Sequence, residues 1–154
     1  MRLADIMSSP VETIDVDASA ETAWDRMQAK KIHHLVVMKD GDPVGVISAR
    51  DLSGPRGVAL RWAGSVEELM SPQIVTATPG TSVREAANLL RGRNIGCLPI
   101  LSGHKVVGIV TITDLIELVA RGLAKAPARS PSRVRGRSSP DRPSAVRPAP
   151  GRGD

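Results

Sequence analysis

Residues 45–51 read GVISARD and residues 108–114 read GIVTITD. Each is a glycine, two aliphatic residues, a hydroxyl residue, two variable positions and an aspartate, and the two stretches stand 63 residues apart, Gly45 to Gly108. The same interval relates Met7-Ser8 to Met70-Ser71, Ala23 to Ala86, Met27 to Leu90, Ile32 to Ile95 and Leu35 to Leu98. Pro10 and Pro72 are 62 apart, which reads as a one-residue slip in the loop around Asp17 to Glu21. Self-similarity over such an interval means one supersecondary unit written twice.

Each copy has the same local grammar. A short apolar turn (ADIM, EELM) runs into Ser-Pro, and an extended piece (ETIDV, QIVTAT) leads to a helix. Ser19 caps the first helix and Thr81 or Ser82 the second, with Ala23 and Met27, and Ala86 and Leu90, forming i, i+4 buried stripes. Two strands follow, HHLVVM with DPVGVIS and GCLPIL with KVVGIVT, joined by turns at Asp40-Gly41-Asp42 and Ser102-Gly103-His104. A last helix opens at each aspartate, cut short in the first copy by Ser53-Gly54-Pro55. The fold class expected is α+β: two tandem β-α-β-β-α motifs, over residues 1–58 and 67–121, with a linker over 59–66. A unit of this size leaves a sheet face bare, so the copies should pack on each other about a pseudo-two-fold axis with a central cleft.

The composition narrows the chemistry. Phe and Tyr are absent and Trp24 and Trp62 are the two tryptophans, so the core is aliphatic and base stacking is not a mode of recognition. A single cysteine, Cys97, forms no disulfide within the chain, and the sequence has no leader signature or membrane-length apolar run. A reducing cytoplasm is the expected address, with no membrane partner. Between Met1 and Ala120 there are 12 Lys and Arg against 14 Asp and Glu, and from Arg121 onward 9 against 2. Residues 122–154, rich in Arg, Pro and Ser, lack the apolar side chains to offset ordering and read as a disordered tail.

The repeated heptad puts a hydroxyl (Ser48, Thr111), a carboxylate (Asp51, Asp114) and a helix N-terminus into one small volume. A carboxylate accepts hydroxyl groups such as a ribose diol, while hydroxyl and N–H donors suit phosphate. Glycine in mid-strand, at Gly45 and Gly108, marks close approach by another backbone or a ligand.

These residues carry a resemblance: over Leu3 to Arg121 the chain resembles the CBS-domain pair, named from the regulatory region of cystathionine beta-synthase. Both heptads match that family's signature, and the Met-Ser-Pro openings and the IGCLPI strand fit as well. The resemblance implies a regulatory module, not an enzyme, with an adenosyl ligand (AMP, ADP, ATP or S-adenosylmethionine) in the cleft and no required cofactor. It implies ribose binding by Asp51 and Asp114, with Ser48 and Thr111 near ribose and phosphate. Ile47 and Val110, with the backbone around Ile14 and Thr76, would frame adenine. His33, His34 and Arg50 would face phosphate. It further implies a homodimer and an unidentified protein partner. Departures at Val36, and at Gly96-Cys97 where the first copy has histidines, make the two halves of the cleft inequivalent.

Plainer readings stand beside these. Asp51 and Asp114 serve as helix caps in any case. The aspartate pair as a hydrolase dyad fits poorly with symmetric repeats, and His33 and His34, neighbours on a strand, point to opposite faces and do not make a metal site. Cys97 reads as a small buried hydrophobe. A nucleic-acid-associated protein held by its basic tail, which lacks interleaved aromatics, and a ligand-free dimerisation module are the alternative functions.

Overall fold

A computed structural model describes residues 1–122; residues 123–154, where the reading of a disordered tail falls, lie outside the described residues. In the first repeat, strand β1 (Thr13–Asp15) leads to helix α1 (Ala20–Lys30), then to strands β2 (His34–Lys39) and β3 (Asp42–Ser48) and helix α2 (Ala49–Ser53). Helix α3 (Pro55–Leu60) carries the chain to the second repeat, whose opening turn is helix α4 (Val66–Leu69). There helix α5 (Val83–Arg93), strands β4 (Cys97–Ser102) and β5 (Lys105–Thr111) and helix α6 (Ile112–Ala120) repeat the plan.

Local signals explain most boundaries. The side-chain oxygens of Ser19 and Ser82 accept from Thr22 N and Glu85 N, starting α1 and α5 as the capping rule predicts. Lys31 and Asn94 end them in the left-handed conformation, at φ of 54° and 52°. In the first hairpin Asp40 and Gly41 both have positive φ, the geometry of a two-residue turn whose twist matches the strands. β1 pairs parallel with β2, and β2 antiparallel with β3. β4 and β5 form the second hairpin. Next to it the expected strand QIVTAT shrinks to one parallel bridge, Ala77 to Ile100, because Pro79 and Gly80 break its run.

Two expectations are corrected. The last helices do not open at the aspartates: Ser48 and Thr111 are the caps, and Asp51 and Asp114 are the third helical residues. The interval also does not slip. Thr13 and Thr76, Ser19 and Ser82, and the bridge partners Ser8 with Ile109 and Val46 with Ser71 all keep the interval of 63 seen in the heptads. Ser9 is therefore the counterpart of Pro72, and the two prolines are not equivalents.

The opening turn of each repeat packs on the other repeat. Ser8 bridges to Ile109 of β5, and Ser71 bridges to Val46 of β3. The first core, built on Ile14, Met27, Leu35, Val37, Ile47 and Leu52, takes in Val66 and Leu69 from α4. The second, on Ala86, Leu90, Leu98, Ile100 and Val110, takes in Leu3, which is fully buried. Burying one such leucine is worth about 1.5–3 kcal/mol, so each half is completed by an exchange that also fixes how the halves face each other. Gly45 and Gly108 are where the crossing segments touch down. A Cβ on Gly45 would lie 2.5 Å from the Ser71 carbonyl oxygen and 3.0 Å from Met70 Sδ, and one on Gly108 would run into the Met7 side chain.

Candidate ligand site

The strand ends and helix starts of both repeats converge on one cleft of about 800 Å³, within the size range of small-molecule sites. Ser48, Asp51, Thr111 and Asp114 line it, as do His33, His34 and Arg50. Seven of the sequence-derived site residues are thus brought together.

Each hydroxyl–carboxylate pair forms a closed capping box. Asp51 Oδ2 accepts from Ser48 N at 2.8 Å and from Ser48 Oγ at 2.9 Å, and Ser48 Oγ accepts from Asp51 N at 3.2 Å. In the second repeat Asp114 Oδ2 accepts from Thr111 N at 2.7 Å and from Thr111 Oγ1 at 3.1 Å, and Thr111 Oγ1 accepts from Asp114 N at 3.3 Å. The hydroxyl protons are committed to the carboxylates, so Ser48 and Thr111 position Asp51 and Asp114. Oδ2 of each carboxylate is filled, while Oδ1 has no hydrogen-bond partner among the described residues and keeps both of its lone pairs.

Two aliphatic residues expected at adenine are elsewhere: Ile47 and Val110 are fully buried in the two cores. Their neighbours Val46 and Ile109 line the cleft instead. The side chain of Ile14 is buried in the first core, and nearby in the chain Glu12 lines the cleft. The period of two makes the exchange of Ile47 for Val46 a correction the sequence already contained, since Val46 is two residues before Ser48 and shares its face. Thr76 lines a different groove of the second repeat, while its chain neighbour Val75 lines the cleft. The crossing segments add lining residues that sequence reasoning missed, among them Ser8, Pro10, Glu12, Ser71 and Gln73. The mid-strand glycines were the signal for that contact, but they do not say which segment makes it.

The cleft is symmetric in its carboxylates and asymmetric in the rest of its charge. Glu12, Lys31, His33, His34 and Arg50 all come from the first repeat; the equivalent positions in the second are Val75, Asn94, Gly96, Cys97 and Thr113. His33 is exposed and His34 half-buried; both line the cleft, because β2 begins at His34 and His33 precedes it rather than alternating with it on the strand. His34 reaches across to the second repeat, its Nε2 3.0 Å from where a Cβ on Gly96 would stand. Burial, and then the neighbouring His33, hold His34 below the ordinary imidazole pKa against the opposing pull of Asp51 and Asp114. Burial, followed by Asp51, pushes the Cys97 thiol up to about 12, leaving it protonated and a poor nucleophile. Among the described residues, no cluster of three or more His, Cys, Asp or Glu has metal-holding geometry.

Comparison with known proteins agrees with this fold. The CBS domain family model matches residues 3–54 and 66–121. A CBS domain-containing protein of Dictyostelium discoideum is 33% identical over 139 residues, covering 81% of this chain and 95% of its own length. A homoserine O-acetyltransferase of Methanohalobium evestigatum is 32% identical over 119 residues, covering 76% of this chain; the match spans 24% of that enzyme's length. The crystal structure of a CBS domain pair in complex with 5'-methylthioadenosine and S-adenosyl-L-methionine superimposes with a TM-score of 0.73 at 27% identity. It covers 79% of this chain and 98% of that one.

Proposed function

The chain belongs to the CBS domain family as a tandem pair of CBS motifs, and from that premise we propose that it is a regulatory module whose cleft senses an adenosyl ligand and signals to a partner protein. The observation that carries this reading is the pair of half-free carboxylates in one cleft. Asp51 and Asp114 each have Oδ2 tied down and Oδ1 without a partner among the described residues, which leaves one oxygen of each for a ribose hydroxyl. The similar domain pair crystallised with two adenosyl compounds supports the ligand class.

In this reading the Oδ1 atoms accept from ribose hydroxyls, and Val46 and Ile109 give an apolar wall to adenine. Arg50, His33 and His34 face phosphate, with Lys31 beside them, so phosphorylated ligands favour the half of the cleft that holds Asp51. The module needs no resident cofactor and performs no reaction of its own; its output is a change in how the two repeats, joined by the crossing segments, sit against a partner.

A homodimer is part of the proposal. Ile112, Ile116 and Val119 lie at i, i+4 and i+7 on α6 and are 45%, 62% and 47% exposed, an apolar stripe that a second copy covers. Among the described residues no helix is long and apolar enough to cross a membrane.

A thermal-shift panel of AMP, ADP, ATP, NAD and S-adenosylmethionine tests the ligand, since a compound that binds only the native state raises its stability. No shift with any of them, at concentrations up to millimolar, removes the adenosyl reading.

A further inference from the structure

A second groove, of about 520 Å³, lies on the second repeat; it shares no lining residue with the cleft, although Thr76 and Arg93 are chain neighbours of the cleft residues Val75 and Asn94. One wall is a single face of α5, carrying Glu85, Asn88, Leu89, Gly92 and Arg93 at the helical spacings i, i+3, i+4, i+7 and i+8. The other is the segment that contains Thr76.

The first repeat shows what the same groove looks like when filled. There Arg26, the counterpart of Leu89, lays its guanidinium across to the Thr13 carbonyl, donating from Nη1 at 2.5 Å. Lys30, the counterpart of Arg93, pairs with Glu12 at 3.7 Å. The first repeat thus supplies from its own side chains a cationic donor for the strand carbonyl and a carboxylate for the helix cation.

The second repeat retains the acceptor and the cation and has lost both of their partners. Leu89 offers nothing to the Thr76 carbonyl, which receives no hydrogen bond among the described residues. Val75 stands where Glu12 stands in the first repeat, and Arg93 has no carboxylate within ion-pair distance among the described residues. A side chain added at Gly92 would meet nothing within 4 Å, so the space is open.

The missing pieces are the cationic donor that Arg26 supplies and the carboxylate that Glu12 supplies, and the helix positions they served are Leu89 and Arg93 here, one turn apart on the same face of α5. We propose that this groove binds a free α-amino acid, its ammonium on the Thr76 carbonyl, its carboxylate on Arg93 and its side chain along Leu89 toward Asn88. Both charges of an amino acid sit on one carbon, so a single small molecule can address the Thr76 carbonyl beside Leu89 and the Arg93 cation one turn further along α5. The site is separate from the adenosyl cleft and stands whether or not that cleft binds a nucleotide.

The test is an NMR titration of the full chain with L-leucine, L-glutamine and L-arginine, following the amides of Thr76, Ala77 and Asn88 to Arg93. Isovalerate, which lacks the ammonium, and isoamylamine, which lacks the carboxylate, are the controls. Expected is saturable movement of those amides with at least one amino acid and with neither control. Arg93→Gln, at an exposed position, should weaken binding on the order of 10- to 100-fold by removing one charge-assisted contact. Leu89→Arg, which rebuilds the filled groove of the first repeat, should abolish it. Failure of all three amino acids to saturate these amides overturns the proposal, as does equal binding of either control or unchanged affinity in Arg93→Gln.

Discussion

Asp51 holds the Ser48 backbone N–H and the Ser48 hydroxyl on the same oxygen, Oδ2, at 2.8 and 2.9 Å. The helix cap and the unpartnered acceptor are therefore the two halves of one carboxylate. Asn keeps one carbonyl oxygen, which can stay in the capping box, and replaces the free oxygen with an NH₂ donor. Asp51→Asn and Asp114→Asn should therefore leave thermal stability within about 1 kcal/mol and weaken the best nucleotide by roughly 2–4 kcal/mol, on the order of 30- to 1000-fold. Calorimetric titration of both variants checks this, and unchanged affinity in both reduces the aspartates to caps.

The two heptad glycines are equivalent in sequence but not in what they touch. At Gly45 an added methyl meets the Ser71 backbone carbonyl, which is pinned by its own pairing with Val46. At Gly108 it meets the side chain of Met7, whose rotatable thioether can swing aside. Gly45→Ala should cost about 1–3 kcal/mol and Gly108→Ala less than about 1 kcal/mol. Denaturant unfolding of the two variants measures the order, and a larger loss in Gly108→Ala contradicts it.

The repeat, the caps of α1 and α5, the hairpins and the convergence of two heptads on a cleft were legible in the sequence because each is set by short-range rules. Ser19 and Ser82 cap, apolar residues recur at helical spacing, and an aspartate follows a hydroxyl by three. The crossing of the opening turns was not legible. Leu3 and Val66 are apolar in either arrangement, and nothing local says which core receives them. For the same reason the cleft lining contributed by Ser8, Glu12 and Ser71 escaped, whereas the misplacement of Ile47 and Val110 came from not applying strand alternation outward from Ser48. The tilt of charge toward the first repeat was readable at His33 and His34, but Glu12 and Lys31 joined it only once the fold had brought them to the same rim.

Cys97 is buried, with its thiol pushed up to about 12, chiefly by burial and then by Asp51. It should resist a thiol-specific disulfide reagent at mildly alkaline pH in the native protein and react promptly in denaturant, where its pKa returns to about 8.5. Rapid native-state labelling, at a rate independent of denaturant, argues against this burial.

His34 gives the cleft a pH dependence with a definite sign. Its folded pKa lies below the ordinary 6.5 because burial and His33 outweigh Asp51 and Asp114. The unfolded chain therefore binds this proton more readily, so its contribution to stability is fully present above the unfolded pKa and declines as pH falls from there toward the folded value. A phosphate in the cleft reverses the balance by favouring the imidazolium, so binding of a phosphorylated ligand near pH 6 should take up protons, and binding of an uncharged nucleoside should not. His33, Lys31, Arg50, Glu12 and the two aspartates line the same cleft. Calorimetry in two buffers of different ionisation enthalpy, on the parent protein and on His33→Gln and His34→Gln, separates the two imidazoles. Proton uptake that persists unchanged in His34→Gln assigns the effect to another group and removes His34 from it.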